Sequence, residues 1–591
     1  MSSESQPLLG NEVQTEAPPT SRFALTGPKR KFILSAAALT GVLLIALGAS
    51  VLIVGWLKKD GNGSGKHDPS RIEWSACHGK YFCGKFQVPL DHTLKDGEKI
   101  DIAVIKFPAK DSKKSLGSIL VNPGGPGGSG VELVKRAGEK LAEIFDRRYE
   151  LIGFDPRGVG ESVPIRCFPD ALKHRAFDAG LGAIDVSIPG AFENALAHEQ
   201  VRSLSCAKYA AKILPYLSTA SVARDMDLIR HAQGDTLLNY WGFSYGSILG
   251  QTYINMFPER VGQMIIDGVV NPNAWGEGWA FWLNPKTKNL DWLQHANEVV
   301  VGFATECERA GSERCALAVA HPPKKPYVHK HLESIMEKLD KEPIPVLDAL
   351  VPGVVNGQTV RYMLFRATYK PDIWGKLAEA LHAADKRNGT LLQNMVVQPP
   401  EDQCPLYDEP AVESTLGIAC SDFPAPAYDP SKLKEEIALV NKKYPIGGFD
   451  AAELTMGCAF WPGVAKERYV GPWNKRSNST VLIIGNTFDP VTPIESARIA
   501  ASLLPNSVLV EQDGYGHCSL AQTSTCTNEI IRRYFVDKTA PKHKINNCTA
   551  DAVLFPPKKK DEKGFMSSLK EAEESETISD VLSDIWSRSM F

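Results

Sequence analysis

The sequence predicts an α/β fold: a mostly parallel, doubly wound sheet with a large, mainly helical cap inserted before its last strands. Three observations predict it. Short apolar runs of the buried-strand kind recur at Ser118–Asn122, Tyr149–Phe154, Val261–Val270 and Thr480–Gly485; runs of this length suit strands better than helices. The turns that follow them are rich in glycine, proline or aspartate, with helical patterns between. Strand signals then pause from Asn271 to Ser477, a stretch rich in Trp and Pro with helix-like segments at Lys330–Lys341 and Ile373–Ala384.

Before the first strand the chain reads differently. Residues 1–28 are polar and aperiodic, a disordered tail. Lys29-Arg30-Lys31 precede Phe32–Leu57, 26 residues without a charge, closed by Lys58-Lys59. That is long enough to cross a bilayer core of about 30 Å, so residues 29–59 are expected to form a single transmembrane signal anchor. A cleaved signal peptide would have a shorter apolar region nearer the start. Residues 60–70, rich in Gly and Lys, read as a stalk. All 12 cysteines and all four Asn-x-Ser/Thr sequons (Asn62, Asn388, Asn478, Asn547) follow the anchor. Disulfides and N-glycans both need the lumenal or extracellular side, so a type II membrane protein is expected. Glu4 followed by Leu8-Leu9 looks like an acidic dileucine sorting signal, which points to a vacuolar or lysosomal membrane, with the cell surface as the other destination.

At 591 residues the chain exceeds one ordinary domain. It divides into a first core part at 71–272, the cap at 273–477, a second core part at 478–550 and a charged tail at 551–591. A net charge of −3 leaves no footprint for nucleic acid. There is no P-loop, no dinucleotide fingerprint and no His/Cys zinc spacing, so no metal or organic cofactor is expected.

Within the first core part, Ile100–Phe107 alternates as a strand. Ser118–Asn122 ends in Pro123-Gly124-Gly125-Pro126-Gly127-Gly128-Ser129-Gly130. Such a turn exposes backbone N–H groups with no side chain in the way. Without Lys-Ser/Thr it is no phosphate cradle; it suits half of an oxyanion hole, with Gly125 as donor and Gly124 as the alternative. Tyr149–Phe154 runs into Asp155-Pro156-Arg157, where Asp155 and Arg157 are expected in a strand-end turn with an internal ion pair. Val222–His231 reads as a helix. Leu237–Gly250 then passes from a strand through Gly242-Phe243-Ser244-Tyr245-Gly246 into a helix. A serine at so sharp a turn stands clear of its backbone, and its neighbours two before and two after must be small. The following helix aims its N-terminal amides at the place where negative charge develops, and the Tyr245 amide is the second oxyanion donor.

Serine is a poor nucleophile at its free pKa, so a base must take its proton and a carboxylate must orient that base. Thr480–Gly485 leads to Asp489. A helix, Ile494–Leu504, and a strand, Ser507–Glu511, lead to His517. Both residues follow strands, so a parallel sheet brings them to the edge that carries Ser244. The order Ser244, Asp489, His517 is that of the α/β-hydrolases.

NPGGPGGSG (122–130), FDPRGVGES (154–162), GFSYGSILGQTY (242–253), FPERVGQMIIDGVVNP (257–272), FDPVTP (488–493) and GYGHC (514–518) together resemble the proline iminopeptidase and tripeptidyl aminopeptidase branch of the α/β-hydrolases. The resemblance covers about residues 71–550 and is closest to secreted bacterial tripeptidyl aminopeptidases. Pro123 stands where iminopeptidases read histidine, which favours the tripeptidyl side. The resemblance implies a Ser244–His517–Asp489 exopeptidase acting on peptides with a free N-terminus. The substrate ammonium then needs carboxylates in the cap, for which Asp422 and Glu277 are the candidates. An esterase on the same triad is the alternative, and an inactive hydrolase fold used for binding is a third reading.

Sequence proximity pairs Cys77 with Cys83, Cys167 with Cys206, Cys307 with Cys315, and Cys518 with Cys526, leaving Cys420–Cys458 and Cys404–Cys548 by elimination. In the tail, Ile578, Val581, Leu582, Ile585 and Trp586 recur at helical spacing, an amphipathic end that would dock on the core, pair with another chain or touch a membrane.

Overall fold

Among the described residues, ten of the twelve strands join one sheet. β1 (Ser75–Cys77), β2 (Tyr81–Pro89) and β3 (Lys99–Phe107) form its antiparallel edge. β2 buries only part of its side chains, as a strand at the rim of a sheet does. β4 (Ser118–Asn122) and β5 (Glu150–Phe154) begin the parallel part, followed by β6 (Leu238–Phe243) and β7 (Val261–Asp267). β8 (Ile344–Val346) and β9 (Gly353–Val355) pair as a separate hairpin in the cap. β10 (Val481–Phe488), β11 (Ser507–Tyr515) and β12 (Ile545–Thr549) complete the sheet, whose order is β1-β2-β3-β5-β4-β6-β7-β10-β11-β12. β4 is buried throughout, and so is most of β6 and β10, which is why these segments read as continuous apolar runs rather than alternating ones.

This computed structural model describes residues 71–178, 190–277, 292–321, 324–396, 411–423, 429–557 and 576–590. The expected tail, anchor and stalk, with Asn62, lie outside the described residues, as does Cys404. Among the described residues no helix is long and apolar enough to cross a membrane.

Helices cover both faces. α1 (Gly130–Ile144) follows the glycine-rich loop; the Ser129 hydroxyl caps it by accepting from the Glu132 amide at 2.9 Å. α2 (Ala191–Tyr209) and α3 (Thr219–Ala232) precede β6, and α4 (Tyr245–Met256) leaves the Ser244 turn. The cap between β7 and β10 is mainly helical and includes α5 (Ala411–Asp422). α6 (Ile494–Leu503) connects β10 to β11, and α7 (Ile578–Met590) ends the described chain. Cap and core share one hydrophobic interior: Phe303 and Trp374 of the cap meet Phe555, beyond β12, at ring distances of 5.9 and 6.3 Å.

Four of the expected cysteine pairs are closed: Cys77–Cys83, Cys167–Cys206, Cys307–Cys315 and Cys420–Cys458. The Cys518–Cys526 and Cys404–Cys548 pairings are corrected. Cys526, at the start of the helix Thr525–Val536, is bonded to Cys548 on β12, and Cys518 is a buried free thiol. The cause is direction. Cys518 turns inward, its sulfur 3.6 Å from the Asp267 carbonyl, whereas Cys526 faces the edge strand. Of the sequons, Asn388, Asn478 and Asn547 are all exposed.

Candidate active site

Parallel strands deliver their C-terminal ends to one edge, and β4, β6, β10 and β11 each end in a turn there. Ser244 follows β6 with φ 56° and ψ −122°, a conformation that costs a non-glycine residue on the order of 1–3 kcal/mol. Its amide donates to the Asp267 carbonyl at 2.9 Å, which ties the turn to the end of β7. The flanking glycines are sterically required. A Cβ on Gly242 would lie 2.3 Å from the Gly246 carbonyl oxygen, and one on Gly246 would lie 2.8 Å from that of Asn122.

The loop after β4 lies directly on this turn. A Cβ on Gly124, whose φ is +100°, would come within 2.4 Å of the Phe243 oxygen and 2.8 Å of the Ser244 Cβ. Gly124 spends its own N–H on Asn122 Oδ1 at 3.0 Å. Gly125 is therefore the loop amide left for a substrate oxygen, opposite the Tyr245 amide at the head of α4.

His517 is 1 % exposed. Its Nδ1 faces both Asp489 oxygens, at 3.0 and 2.9 Å, with the Thr492 hydroxyl at 3.2 Å. Asp489 is fully buried and also accepts from the amides of Val491 (3.0 Å), Thr492 (2.8 Å) and Cys518 (2.9 Å). Burial would raise its pKa, but attraction to His517 and these hydrogen bonds outweigh burial and hold the carboxyl below its usual range. With Nδ1 committed to the carboxylate, Nε2 is the nitrogen free to take a proton. It is buried and has no hydrogen-bond partner, so the Ser244–His517 hydrogen bond is not closed in this resting site. Such bonds commonly tighten only when substrate binds. The strand and loop geometry nonetheless keeps the two residues close. Gly268, directly after the Asp267 that holds Ser244, would place a Cβ 3.3 Å from His517 Cε1.

Ser244, Gly125, Tyr245, Thr492, Tyr369 and Trp586 line one cavity with apolar cap residues such as Leu416 and Ala419. Asp155 and Arg157, expected to form an internal ion pair beside the site, are structural but are held by separate partners away from the cavity wall. Arg157 is wholly buried and forks onto Asp225 with two contacts of 2.7 Å. Asp155 accepts from the Ser129 hydroxyl at 2.6 Å and from the Val131 and Glu161 amides.

The two candidate ammonium acids are corrected. Asp422 does not line the cavity. It is buried against α3, accepting from the Thr219 amide and the Trp275 indole at 2.9 Å each and from the Thr219 hydroxyl. Burial pushes its pKa up. Its role is to hold the start of α3, whose Thr219 hydroxyl in turn meets the Tyr245 phenol at 2.7 Å. Glu277 is exposed at the end of a short helix. The acid on the cavity wall is instead Glu199 of α2, 2 % exposed. Arg202 lies 3.3 Å from Glu199 and 2.6 Å from Glu413 of α5, and it also pairs with Asp178 at 3.0 Å. His174 meets the same Glu413 oxygen at 3.1 Å, while the other, Oε2, is buried without a partner. Burial would raise the Glu413 pKa, but His174 and Arg202 hold it below the usual range. Three carboxylates thus surround one guanidinium. Nothing in the sequence around Glu199 marked it, because it sits in an Ala-rich helix with no motif.

Residues 117–305 match the family described as alpha/beta hydrolase fold, and residues 444–548 match the family described as TAP-like protein. Serine protease Hip1 of Mycobacterium tuberculosis is 29% identical over 527 residues, covering 86% of this chain and 96% of that protein. A tripeptidyl aminopeptidase of Streptomyces lividans is 25% identical, covering 79% of this chain and 84% of its own. Carboxylesterase B of Mycobacterium tuberculosis is 29% identical, covering 78% and 85%. Sequence order, sheet topology, edge geometry and these similarities agree: the chain is a serine hydrolase with the α/β-hydrolase fold.

Proposed function

We propose that this serine hydrolase is an exopeptidase that removes short N-terminal peptides, tripeptides foremost, from oligopeptides with a free amine. The observation that carries the reading is Glu199, a buried carboxylate in the wall of the cavity that holds Ser244, with Glu413 and Asp178 behind it and one guanidinium among the three. A buried carboxylate in a low-dielectric wall, its neighbours Arg202 at 3.3 Å and His198 at 3.7 Å, suits a substrate ammonium. The names of two relatives, a serine protease and a tripeptidyl aminopeptidase, support the same reading.

Ser244 Oγ attacks the scissile carbonyl carbon and its proton passes to His517 Nε2. Asp489 holds Nδ1–H and stabilises the imidazolium. The amides of Gly125 and Tyr245 take the oxyanion. The tetrahedral species collapses, the C–N bond breaks, and His517 returns the proton to the leaving amine. Water, deprotonated by the same histidine, then releases the acyl peptide and restores Ser244. An esterase is the second reading, favoured by the similarity to Carboxylesterase B and by the apolar lining around Leu416 and Ala419.

The test is turnover of peptides of one to three residues, each with a free and a blocked N-terminus, beside a short-chain ester, for the wild type and Glu199→Gln. The expected result is cleavage only with a free amine and a rise in KM of about 10-fold or more in the variant, since a hydrogen bond to a charged group contributes about 1.5–3 kcal/mol. Equal cleavage of blocked peptides, or no effect of Glu199→Gln, would overturn the aminopeptidase reading. The chain is further proposed to be a type II protein anchored through residues 29–59 in a vacuolar or lysosomal membrane or at the cell surface. The exposure of Asn388, Asn478 and Asn547 supports this. Loss of mass on N-glycosidase treatment and protease protection of the catalytic part in sealed vesicles are the expected results.

A further inference from the structure

We propose that α7 is a wall of the active site, and that its Trp586 is a positioning residue that holds the catalytic histidine and the oxyanion loop in fixed relation. The helix lies beyond the residues that match either family, which end at 548. Its apolar stripe is buried: Val581, Leu582, Ile585 and Trp586 are all 5 % exposed or less.

Trp586 touches both halves of the machinery. Its indole ring lies 4.5 Å from the His517 imidazole, centre to centre. Its Nε1–H donates to the Pro123 carbonyl at 2.7 Å, at the start of the loop that carries Gly125. Tyr369 packs on His517 beside Trp586, with rings 5.2 Å apart at 82°, and accepts the His517 amide at its own carbonyl, 3.1 Å away. Ile585 packs on the same loop: a Cβ on Gly128 would come within 2.7 Å of its Cγ2. Trp586 also lines the cavity with Ser244, so it faces the acyl group.

Charged residues hold the helix down at two points and its lead-in at a third. Arg136 on α1 pairs with Glu576 and, at 2.5 Å, with Asp584; Lys370, next to Tyr369, pairs with Asp580. Each of these partners stands beside an element of the site, α1 directly after the oxyanion loop and Lys370 directly after the residue packed on His517. A side chain that spans base and oxyanion loop fixes the distance between them, and a displacement of about 1 Å in such a constellation costs on the order of 100-fold in rate.

The experiment uses the full chain and readouts that do not depend on the peptidase reading: labelling of Ser244 by a fluorophosphonate, and kcat and KM on p-nitrophenyl esters of increasing acyl length. Trp586→Ala is expected to lower the labelling rate and kcat about 10- to 100-fold on every ester. It should also raise the relative kcat/KM of longer acyl groups, which gain the vacated wall. Trp586→Phe keeps a ring on His517 but leaves the Pro123 carbonyl without its donor, so it should recover part of the loss. Asp580→Ala/Asp584→Ala loosens the helix without touching the cavity and should move both readouts the same way, which decides the matter if Trp586→Ala does not fold. Wild-type labelling and kcat in the folded double variant would overturn the proposal. So would a several-fold rise in either, which would make α7 a plug rather than a wall. Ester turnover with no peptide turnover would sink the aminopeptidase reading and leave this one standing.

Discussion

Asp489→Asn is the sharpest probe of the base. The carboxylate has two oxygens and four donors around it. Oδ1 accepts from the Val491 and Thr492 amides, Oδ2 from the Cys518 amide, and both face His517 Nδ1. An asparagine keeps its oxygen where two amides point, on the Oδ1 side, so its NH2 replaces Oδ2. That NH2 then faces the Cys518 N–H and Nδ1–H of the histidine, donor against donor. The histidine escapes by moving its proton to Nε2, which leaves Nδ1 as an acceptor and removes the base from the side that must take the serine proton. Loss of the correct tautomer costs about 10⁴-fold in kcat in serine proteases. The same order is expected here, about 5 kcal/mol in the barrier. The unpaired Cys518 amide adds a stability loss of about 1–3 kcal/mol. The assay is kcat on a p-nitrophenyl ester together with a urea midpoint. A variant that keeps more than about a tenth of wild-type kcat would refute the assignment of Asp489 as the orienting carboxylate.

Two further outcomes follow from backbone strain and from a buried acid. Ser244→Gly relieves the φ 56° conformation and should be more stable than Ser244→Ala by about 1 kcal/mol, both being inactive; a less stable glycine variant would contradict the strain. Asp267 is buried at the end of β7, accepting from the Ser519 amide at 2.8 Å and from its hydroxyl, and burial pushes its pKa up to about 6. An acid with a raised folded pKa binds more protons folded than unfolded, so its contribution to stability falls as pH rises from about 3.8 to 6 and its full cost, about 3 kcal/mol, stands above that window. Asp267→Asn carries no such cost, so its stability relative to wild type should decline by about 2 kcal/mol between pH 7 and pH 4.5, read from urea midpoints. A pH-independent difference would contradict the raised pKa.

What the sequence made legible were features with a local cause. Ser244 is flanked by glycines because strand and helix touch there, and Asp489 and His517 follow apolar runs that can only be buried strands. The bounds erred where a turn depends on distant atoms. Val261–Val270 reads as one strand, but β7 stops at Asp267 because Gly268 must turn, with φ +62°, beneath Cys518; a Cβ there would lie 2.3 Å from its sulfur. β12 escaped notice because Ile-Asn-Asn-Cys-Thr is polar and sits on an exposed edge, with only Cys548 buried. Cys518 and Cys526 are near in sequence, but one turns in to the Asp267 carbonyl and the other bonds Cys548 on β12, which spacing does not register. Glu199, Tyr369 and Trp586 reach the site from segments that carry no motif, so only the packing of α2, the cap and α7 reveals them. For Trp586 a trace was present: the helical spacing of Ile578, Val581, Leu582, Ile585 and Trp586 marked a face that needed a surface, though not which one.

The hydrogen bond from Trp586 to Pro123 joins residues 463 positions apart. Chains emerge from the ribosome N-terminus first, and a contact of that span closes only after nearly everything between has been made. Ser244, Asp489 and His517 are all present before α7 is synthesised, yet the wall against the histidine is not. A nascent or prematurely ended chain would therefore carry a complete triad in an open site. The working geometry is gained only once α7 has emerged and docked, so the site matures well after its triad has been made.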